Sequence, residues 1–160
     1  MAIKFTIEDN HIVCFPTKIA SGSNGHILNI VLDKDTDNGV VVSAGDYVSF
    51  DNYKAGDAPT SYEAVITEQA ANGNWYVQVT KADITDVTKM PILIYEVPII
   101  DETYDSRFTK LSNFYNAAGK VVRGYVLAPF DVYEISEDAF EGTPEAGKKV
   151  TITGSKHVVA

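Results

Sequence analysis

The chain has 160 residues, of which 45% are hydrophobic and 22% charged, and these values are ordinary for a soluble globular protein with one core or two small lobes. A formal net charge of −9 without dense basic clusters argues against nucleic-acid binding. The single cysteine, Cys14, cannot form an intrachain disulfide, and the most apolar stretch, "MPILIYEVPII", is too short and too interrupted to cross a membrane. We therefore expect neither nucleic acid nor membrane among the partners.

The first predicted elements are two alternating stretches, "IKFTI" and "HIVCF", which form a hairpin around "EDN". The flexible stretch "SGSNG" follows them. Residues 1–20 are therefore predicted to be an N-terminal arm or hairpin on a β-rich body that spans residues 21–160. The apolar face of this arm is predicted to dock on a partner by strand addition to a sheet edge, through Ile3, Phe5, Ile7 and Ile12.

The next strands, "HILNIVL" and "VVVS", flank the acidic loop "DKDTDNG". Asp33, Asp35 and Asp37 alternate as the first three ligands of an EF-hand loop do. The pattern then fails, because Asn38 stands where glycine is required and Ala44 where a bidentate glutamate is required. The loop is therefore predicted to be a metal-free hairpin tip, with its Asn-Gly pair supplying positive φ angles.

The middle of the chain continues with a strand at "DYVSF" and a hairpin of "SYEAVITEQ" and "NWYVQVT". In this hairpin Trp75, Val77 and Val79 share one face. Prolines bound a buried strand at "PILIYEV". Helical spacing then predicts one short helix over residues 105–118, with Gly119 at its C-terminal cap.

The C-terminal third is again rich in strands, at "VVRGYVL", "FDVYEI", "KKVTI" and "KHVVA". Ser136 is placed as the N-cap of a single helical turn. At least eight strands with little helix predict an all-β protein, a compact β-barrel or β-sandwich with one short helix.

Two stretches of the sequence resemble each other: "GVVVSAGDYVSF" and "GYVLAPFDVYEI" align without a gap, and Asp46 falls on Asp131. One interpretation is a repeat of two strand modules, over residues 26–80 and 92–160. The other is chance, because alternation and turn chemistry constrain all β-rich chains. The sequence leaves both open.

Residues for catalysis or metal binding form no local motif. The histidines, His11, His26 and His157, lie far apart, and zinc-binding and nucleophile motifs are absent from the sequence. A Cys14–His11 pair would need a turn, since residues three apart on a strand point to opposite faces. We therefore expect a protein without catalytic residues, metal or cofactor.

A carbohydrate-binding or adhesion module is the alternative function, suggested by nine tyrosines, and a hydrolase with distant carboxylates is a third.

The segment "LSNFYNAAGKVVRGYVLAPFDVYEISEDAFEGTPEAGKKVTI", about a quarter of the chain, resembles the C-terminal half of head decoration or auxiliary capsid proteins of tailed bacteriophages. The resemblance is carried by the "FYNAAGK" turn, the strand with Arg123 and Tyr125, and the strands "DVYEIS" and "PEAGKKVTI". Phe130 departs from the turn glycine expected before the aspartate, which the upstream stretch keeps as Gly45. The second turn is therefore expected to be built differently.

This resemblance implies a non-enzymatic virion structural protein that is synthesised in the host cytoplasm and lies on the outer capsid surface. The implied partner is the major capsid protein of the same phage, and self-association is left open. An isoelectric point of about 4.7 suits a protein outside the shell, away from packaged DNA.

Overall fold

The structure, a computed structural model, consists of two β-sheets around a shared hydrophobic core. It describes residues 11–24, 27–50, 52–98 and 111–160. In these ranges the only α-helix is α1 (Ala20–Asn24), a single turn of five residues. The predicted all-β barrel or sandwich is therefore confirmed.

The first sheet has seven strands: β1 (Cys14–Lys18), β6 (Glu63–Gln69), β7 (Trp75–Lys81), β10 (Val132–Ile135), β11 (Phe140–Glu141), β12 (Lys149–Thr153) and β13 (Lys156–Val159). Their order across the sheet is β1-β10-β7-β6-β12-β13-β11. All neighbours are antiparallel except β11 and β13, which run parallel.

The second sheet has six strands: β2 (Ile27–Val31), β3 (Val41–Val42), β4 (Ala44–Tyr47), β5 (Asn52–Ala55), β8 (Ile92–Ile94) and β9 (Val121–Val126). Their order is β3-β8-β9-β2-β5-β4, and only β2 and β5 are parallel. The chain therefore passes between the sheets after β1, β5, β7 and β9.

The hairpin predicted around "AANG" is confirmed, since β6 and β7 pair antiparallel from Glu63 opposite Lys81 to Gln69 opposite Trp75. Period-two alternation turns Val77 and Val79 into the core, where both are fully buried. Strand β8 is buried at all three positions, as its uninterrupted apolar run predicts.

The loop "DKDTDNG" is not a hairpin tip, so that prediction is wrong. Strands β2 and β3 are separated in the sheet by β9 and β8, and the loop crosses between them. Gly39 does adopt a positive φ of 89°, whereas Asn38 does not. The Asn38 side chain is buried and bonds both backbone groups of Glu96 and the amide of Asn116. The polar asparagine thus links distant segments.

The helix predicted over residues 105–118 is absent from its described part, which starts at residue 111. A 3-10 turn at Leu111–Asn113 is followed by extended backbone. Asn116 exchanges two backbone hydrogen bonds with Thr36, at 2.8 and 2.9 Å. This long-range pairing overrides the helical spacing, while Gly119 still ends the segment with a φ of 82°.

The two similar stretches serve different arrangements. The first keeps β3 and β4 in one sheet, whereas the second passes from β9 in one sheet to β10 in the other. Asp46 is exposed, but the buried Asp131 carboxylate accepts backbone N–H bonds from Ala20 and Ala128. Residues 39–50 and 124–135 therefore occupy different positions in the two sheets, and the repeat of two strand modules stays a prediction.

Candidate functional site

The predicted docking residues fall in two places. Ile3, Phe5 and Ile7 lie outside the described residues, so their role stays a prediction. Ile12 is only 3% exposed and packs in the core, where it is not accessible to a partner. Strand β1 pairs along β10, and the Val13 N–H donates to the hydroxyl of Ser136, the residue predicted as an N-cap. From residue 11 onward the chain therefore belongs to the body.

The acidic loop fastens neighbouring segments. The Asp37 carboxylate is hydrogen-bonded to the His11 ring at 2.6 Å and to the Ile12 N–H at 3.1 Å. Asp35 accepts the Ala118 N–H at 2.8 Å. Among the described residues, no group of three or more His, Cys, Asp or Glu is placed to hold a metal ion. At least two of the loop's aspartates therefore connect neighbouring segments through hydrogen bonds.

A buried hydrogen-bonded chain joins Tyr62, Tyr133 and His157. The two tyrosine hydroxyls bond each other, and the Tyr133 hydroxyl lies 2.8 Å from Nε2 of His157. Burial raises the pKa of both tyrosines and lowers the pKa of His157 to about 3, with the Lys156 charge as a smaller cause. All three groups are neutral at physiological pH and closed to solvent, so the chain cross-links the core.

Two further buried groups, Glu134 and Cys14, are also enclosed by the fold. The Glu134 carboxylate accepts the side-chain amides of Asn72 and Asn74, at 2.9 and 3.0 Å. Burial, and secondarily the charge of Glu134, raises the pKa of the Cys14 thiol. A thiol with that environment is a poor nucleophile.

A cleft of about 730 Å³ opens at one end of the sheets, where β2 and β5 finish. Its walls are the acidic loop, residues 55–58 and the turn at residues 154–156. Two of its carboxylates, Asp35 and Asp37, are those already bonded to protein groups. We call this the cleft end.

The opposite end of the sheets is formed by several turns that strand register brings together. Strand β9 runs toward it, while β2 begins there, because Ile27 lies opposite Tyr125. Strand β5 also begins there, parallel to β2, with Asn52 beside Asn29. The segment 82–91 connects the end of β7 to the start of β8, which pairs with the end of β9. The β4–β5 turn, the segment 82–91 and the connection from β9 to β10 therefore lie at this end.

Most of the exposed large hydrophobic side chains in the described residues lie on these connections or on the strand ends beside them. Of the ten large hydrophobic side chains exposed in the described residues, seven fall here. The other three, Val97, Leu111 and Val121, lie away from these connections. We call the surface formed by the seven the apolar end: Ile27, Tyr47, Val48, Phe50, Ile84, Val87 and Phe130.

Two phenylalanines dominate the apolar end. Phe50 is 89% exposed and Phe130 is 79% exposed. Both have positive φ, 51° and 76°, a region that side-chain-bearing residues rarely adopt. The missing glycine at position 130 signalled an unusual turn in the sequence. Phe50 gave no such signal, because it completes the alternating run "DYVSF" and was predicted to lie in a strand.

The charges around the apolar end are largely compensated locally. Lys81 lies 3.4 Å from Glu63, and Lys89 lies 3.9 Å from Asp86. Asp83 accepts bonds from the side chain and N–H of the threonine two residues on, which lower its pKa. The end therefore presents apolar side chains beside two exposed ion pairs and a hydrogen-bonded carboxylate.

The sheet edges carry features that discourage strand addition. Pro16, which has no N–H, stands in the middle of edge strand β1. Edge strand β4 has an irregular register between Ala44 and Tyr47. The other two edge strands, β3 and β11, are two residues long. Contacts through the turns are therefore favoured over pairing at these edges.

The helices of the described residues are all too short and too polar to cross a lipid bilayer. Comparison with protein-family models, with curated proteins and with solved structures found no match.

Proposed function

We propose that the protein is a non-enzymatic virion structural protein that binds the major capsid lattice of its phage as a decoration or auxiliary capsid protein. The observation that carries this proposal is the apolar end, where Phe50 and Phe130 stand almost fully exposed. Concentrated exposed apolar side chains are typical of protein–protein contact surfaces. The resemblance of the C-terminal segment to decoration proteins supplies the kind of partner.

A carbohydrate-binding or adhesion module is supported less well. Sugar recognition usually combines an aromatic platform with polar groups that orient the ligand. Trp75 is half-buried in β7, and its indole Nε1 atom is buried. The most exposed aromatic side chains are instead phenylalanines, set among valine and isoleucine. This composition favours a protein surface as the partner.

The proposal predicts a difference between two valines with equal exposure. Val48 lies at the apolar end and is 48% exposed, whereas Val97 lies beyond the far end of β8 and is 49% exposed. Complete burial of an exposed valine contributes about 1.5 kcal/mol, and about half of that is available to Val48, so Val48→Ser should weaken capsid binding at least about threefold. Val97→Ser should leave it unchanged. Co-sedimentation with capsids that lack the native copy measures both.

Failure of the unaltered protein to co-sediment with such capsids would contradict the proposed function. Equal losses of capsid affinity in Val48→Ser and Val97→Ser would place the contact elsewhere on the body.

The predicted docking arm needs a separate truncation. Deleting residues 1–10 leaves β1 and the buried Ile12 in place, so the body should fold. If Ile3, Phe5 and Ile7 contribute to docking, the truncated protein should bind capsids at least about tenfold more weakly. Undiminished binding would assign docking to the body alone. Circular dichroism of the truncated protein provides the folding control.

A further inference from the structure

We infer that Phe50 and Phe130 are paired anchor residues that enter two apolar pockets on one folded protein surface. This inference rests on the proposed function and identifies the side chains that perform the docking. Both are aromatic, both are almost fully exposed, and both occupy turns at the same end of the six-stranded sheet. Aromatic side chains that become buried near the centre of an interface commonly dominate its binding energy.

The backbone at both positions argues for a function of the side chain. A positive φ is unfavourable for phenylalanine, whereas glycine or asparagine adopts it readily. Neither side chain gains burial within the monomer that would offset this cost. Strained backbone that persists without a benefit to folding is typical of binding sites. Two independent occurrences at one end of the molecule make a common purpose the simplest explanation.

The Phe130 turn is held firmly in place. The Phe130 N–H donates to the Val79 carbonyl at 2.8 Å. The buried Asp131 carboxylate accepts the N–H groups of Ala20 and Ala128, at 3.1 and 2.8 Å. The turn is thus bonded to β7, to α1 and to itself. A side chain presented from such a turn loses little conformational entropy on binding.

The Phe50 turn is braced in a different way. The Val48 N–H donates to the Asn52 carbonyl at 2.8 Å, which closes the β4–β5 hairpin. Tyr47 contacts Tyr53 across the hairpin in an edge-to-face geometry, with ring centroids 5.5 Å apart. Phe50 therefore also projects from a preformed support.

The two anchors come from different connections at one end of the molecule. Phe50 lies in the turn between β4 and β5, and Phe130 lies in the connection from β9 to β10. Only β2 separates β5 from β9 in the six-stranded sheet, while the Phe130 N–H is bonded to Val79 in β7 of the other sheet. A single protein surface at this end can therefore engage both side chains at once.

The charge pattern indicates what the partner surface is like. By sequence, the segments that form the apolar end carry five carboxylates, Asp46, Asp51, Glu63, Asp83 and Asp86, and three lysines, Lys18, Lys81 and Lys89. Carboxylates therefore outnumber lysines, and two of the lysines are already close to carboxylates. An apolar protein surface without net negative charge is complementary to this end, whereas an anionic membrane would be repelled by it.

The test separates affinity from stability. In Phe50→Asn and Phe130→Asn, asparagine accepts the positive φ but removes the apolar anchor. Each variant should bind capsids lacking the native copy at least about tenfold more weakly, and the double variant about a hundredfold or more. The midpoint of thermal unfolding should stay unchanged or rise by a few degrees, roughly 2–5 °C, as backbone strain is relieved. In the matched Phe→Leu variants, which keep an apolar side chain, binding should stay within about fivefold of the original.

Three results would overturn the inference. If the unaltered protein binds capsids and the Asn variants bind equally well, the anchors are wrong and the proposed function stands. If the unaltered protein does not bind capsids, both the inference about the anchors and the proposed function are wrong. If the phenylalanines instead drive binding to phosphatidylcholine vesicles or dimerisation in solution, the class of partner is wrong. Vesicle flotation and light scattering of the same variants report these last outcomes.

Discussion

Lowering the pH from 7.5 to 5 is expected to reduce the free energy of unfolding by about 2 kcal/mol through His157 alone. This histidine is fully buried, and its ring packs between Tyr62, Tyr133 and Phe140. Burial, followed by the charge of neighbouring Lys156, lowers its pKa in the folded protein to about 3. An ordinary histidine in the unfolded chain has a pKa near 6.5.

The direction of the effect follows from which state binds the proton. At pH 7.5 the imidazole is neutral in both the folded and the unfolded chain, so it adds no penalty. Below pH 6.5 the unfolded chain takes up a proton that the folded protein does not, and the unfolded state is stabilised. The loss of stability therefore grows as the pH falls from 6.5 toward 3 and levels off below that value.

Urea denaturation of the protein and of His157→Gln at pH 7.5, 6 and 5 measures this effect. The variant should be less stable at pH 7.5, since glutamine fills the buried site imperfectly. Its stability should fall less steeply with pH, by about 2 kcal/mol over the interval. His11→Gln is the matched control, because it removes a histidine outside the Tyr62–Tyr133–His157 chain. Parallel pH profiles for the protein and His157→Gln would show that His157 is not responsible.

Local patterns made the strands predictable. The alternation in Glu63–Gln69 and Trp75–Lys81 depends only on which side chains face the core, and both strands formed where the sequence placed them. Residues 111–118 show the limit of such patterns. Their apolar residues have helical spacing, but the chain is extended because Asn116 pairs with Thr36, a residue far away in the sequence. A spacing rule contains no information about that partner.

The same limit applies to the order of strands. The loop between Val31 and Val41 looked like a hairpin tip because it is short and polar. The sheet instead inserts β8 and β9 between the two flanking strands. Which strands become neighbours is decided by long-range packing of the apolar faces, and a single sequence does not encode it in any local motif.

The candidate site was hidden for a related reason. The apolar end combines turns from separate parts of the chain, and only strand register shows that they share one end. Its exposed residues gave no distinctive local signal, since Phe50 fits an alternating strand as well as a strained turn. Phe130 was the exception, because an aromatic residue replaced an expected glycine.

Introducing a single methyl group at Gly124 is expected to destabilise the protein by about 3 kcal/mol, at the upper end of the range for overpacked cores. Gly124 lies in β9 between β2 and β8. A Cβ atom there would lie 2.5 Å from Ile92 Cγ2 and 2.7 Å from Ile30 Cγ1, and both isoleucines are fully buried. Urea denaturation of Gly124→Ala should show a lower midpoint with an unchanged slope.

The sign of this effect is decided by the clash. Alanine is intrinsically preferred over glycine within a strand by about 0.5–1 kcal/mol, so without a clash the substitution would stabilise the protein. The close atoms belong to β-branched side chains with restricted rotamers in a close-packed core, so they cannot move aside cheaply. Gly22→Ala is the control, because nothing lies within 4 Å of its Cβ position, and it should leave stability unchanged or slightly higher.

A double substitution shows whether the Ile92 contact is the cause. Ile92→Ala removes the Cγ2 atom that the new methyl group would meet, at a cost of about 2–5 kcal/mol for the cavity it leaves. In that background Gly124→Ala should cost at least about 1 kcal/mol less than in the unaltered protein, because half of the clash is gone and the cavity is partly filled. Strictly additive costs would mean that the methyl group is accommodated by movement of the strand rather than resisted by Ile92.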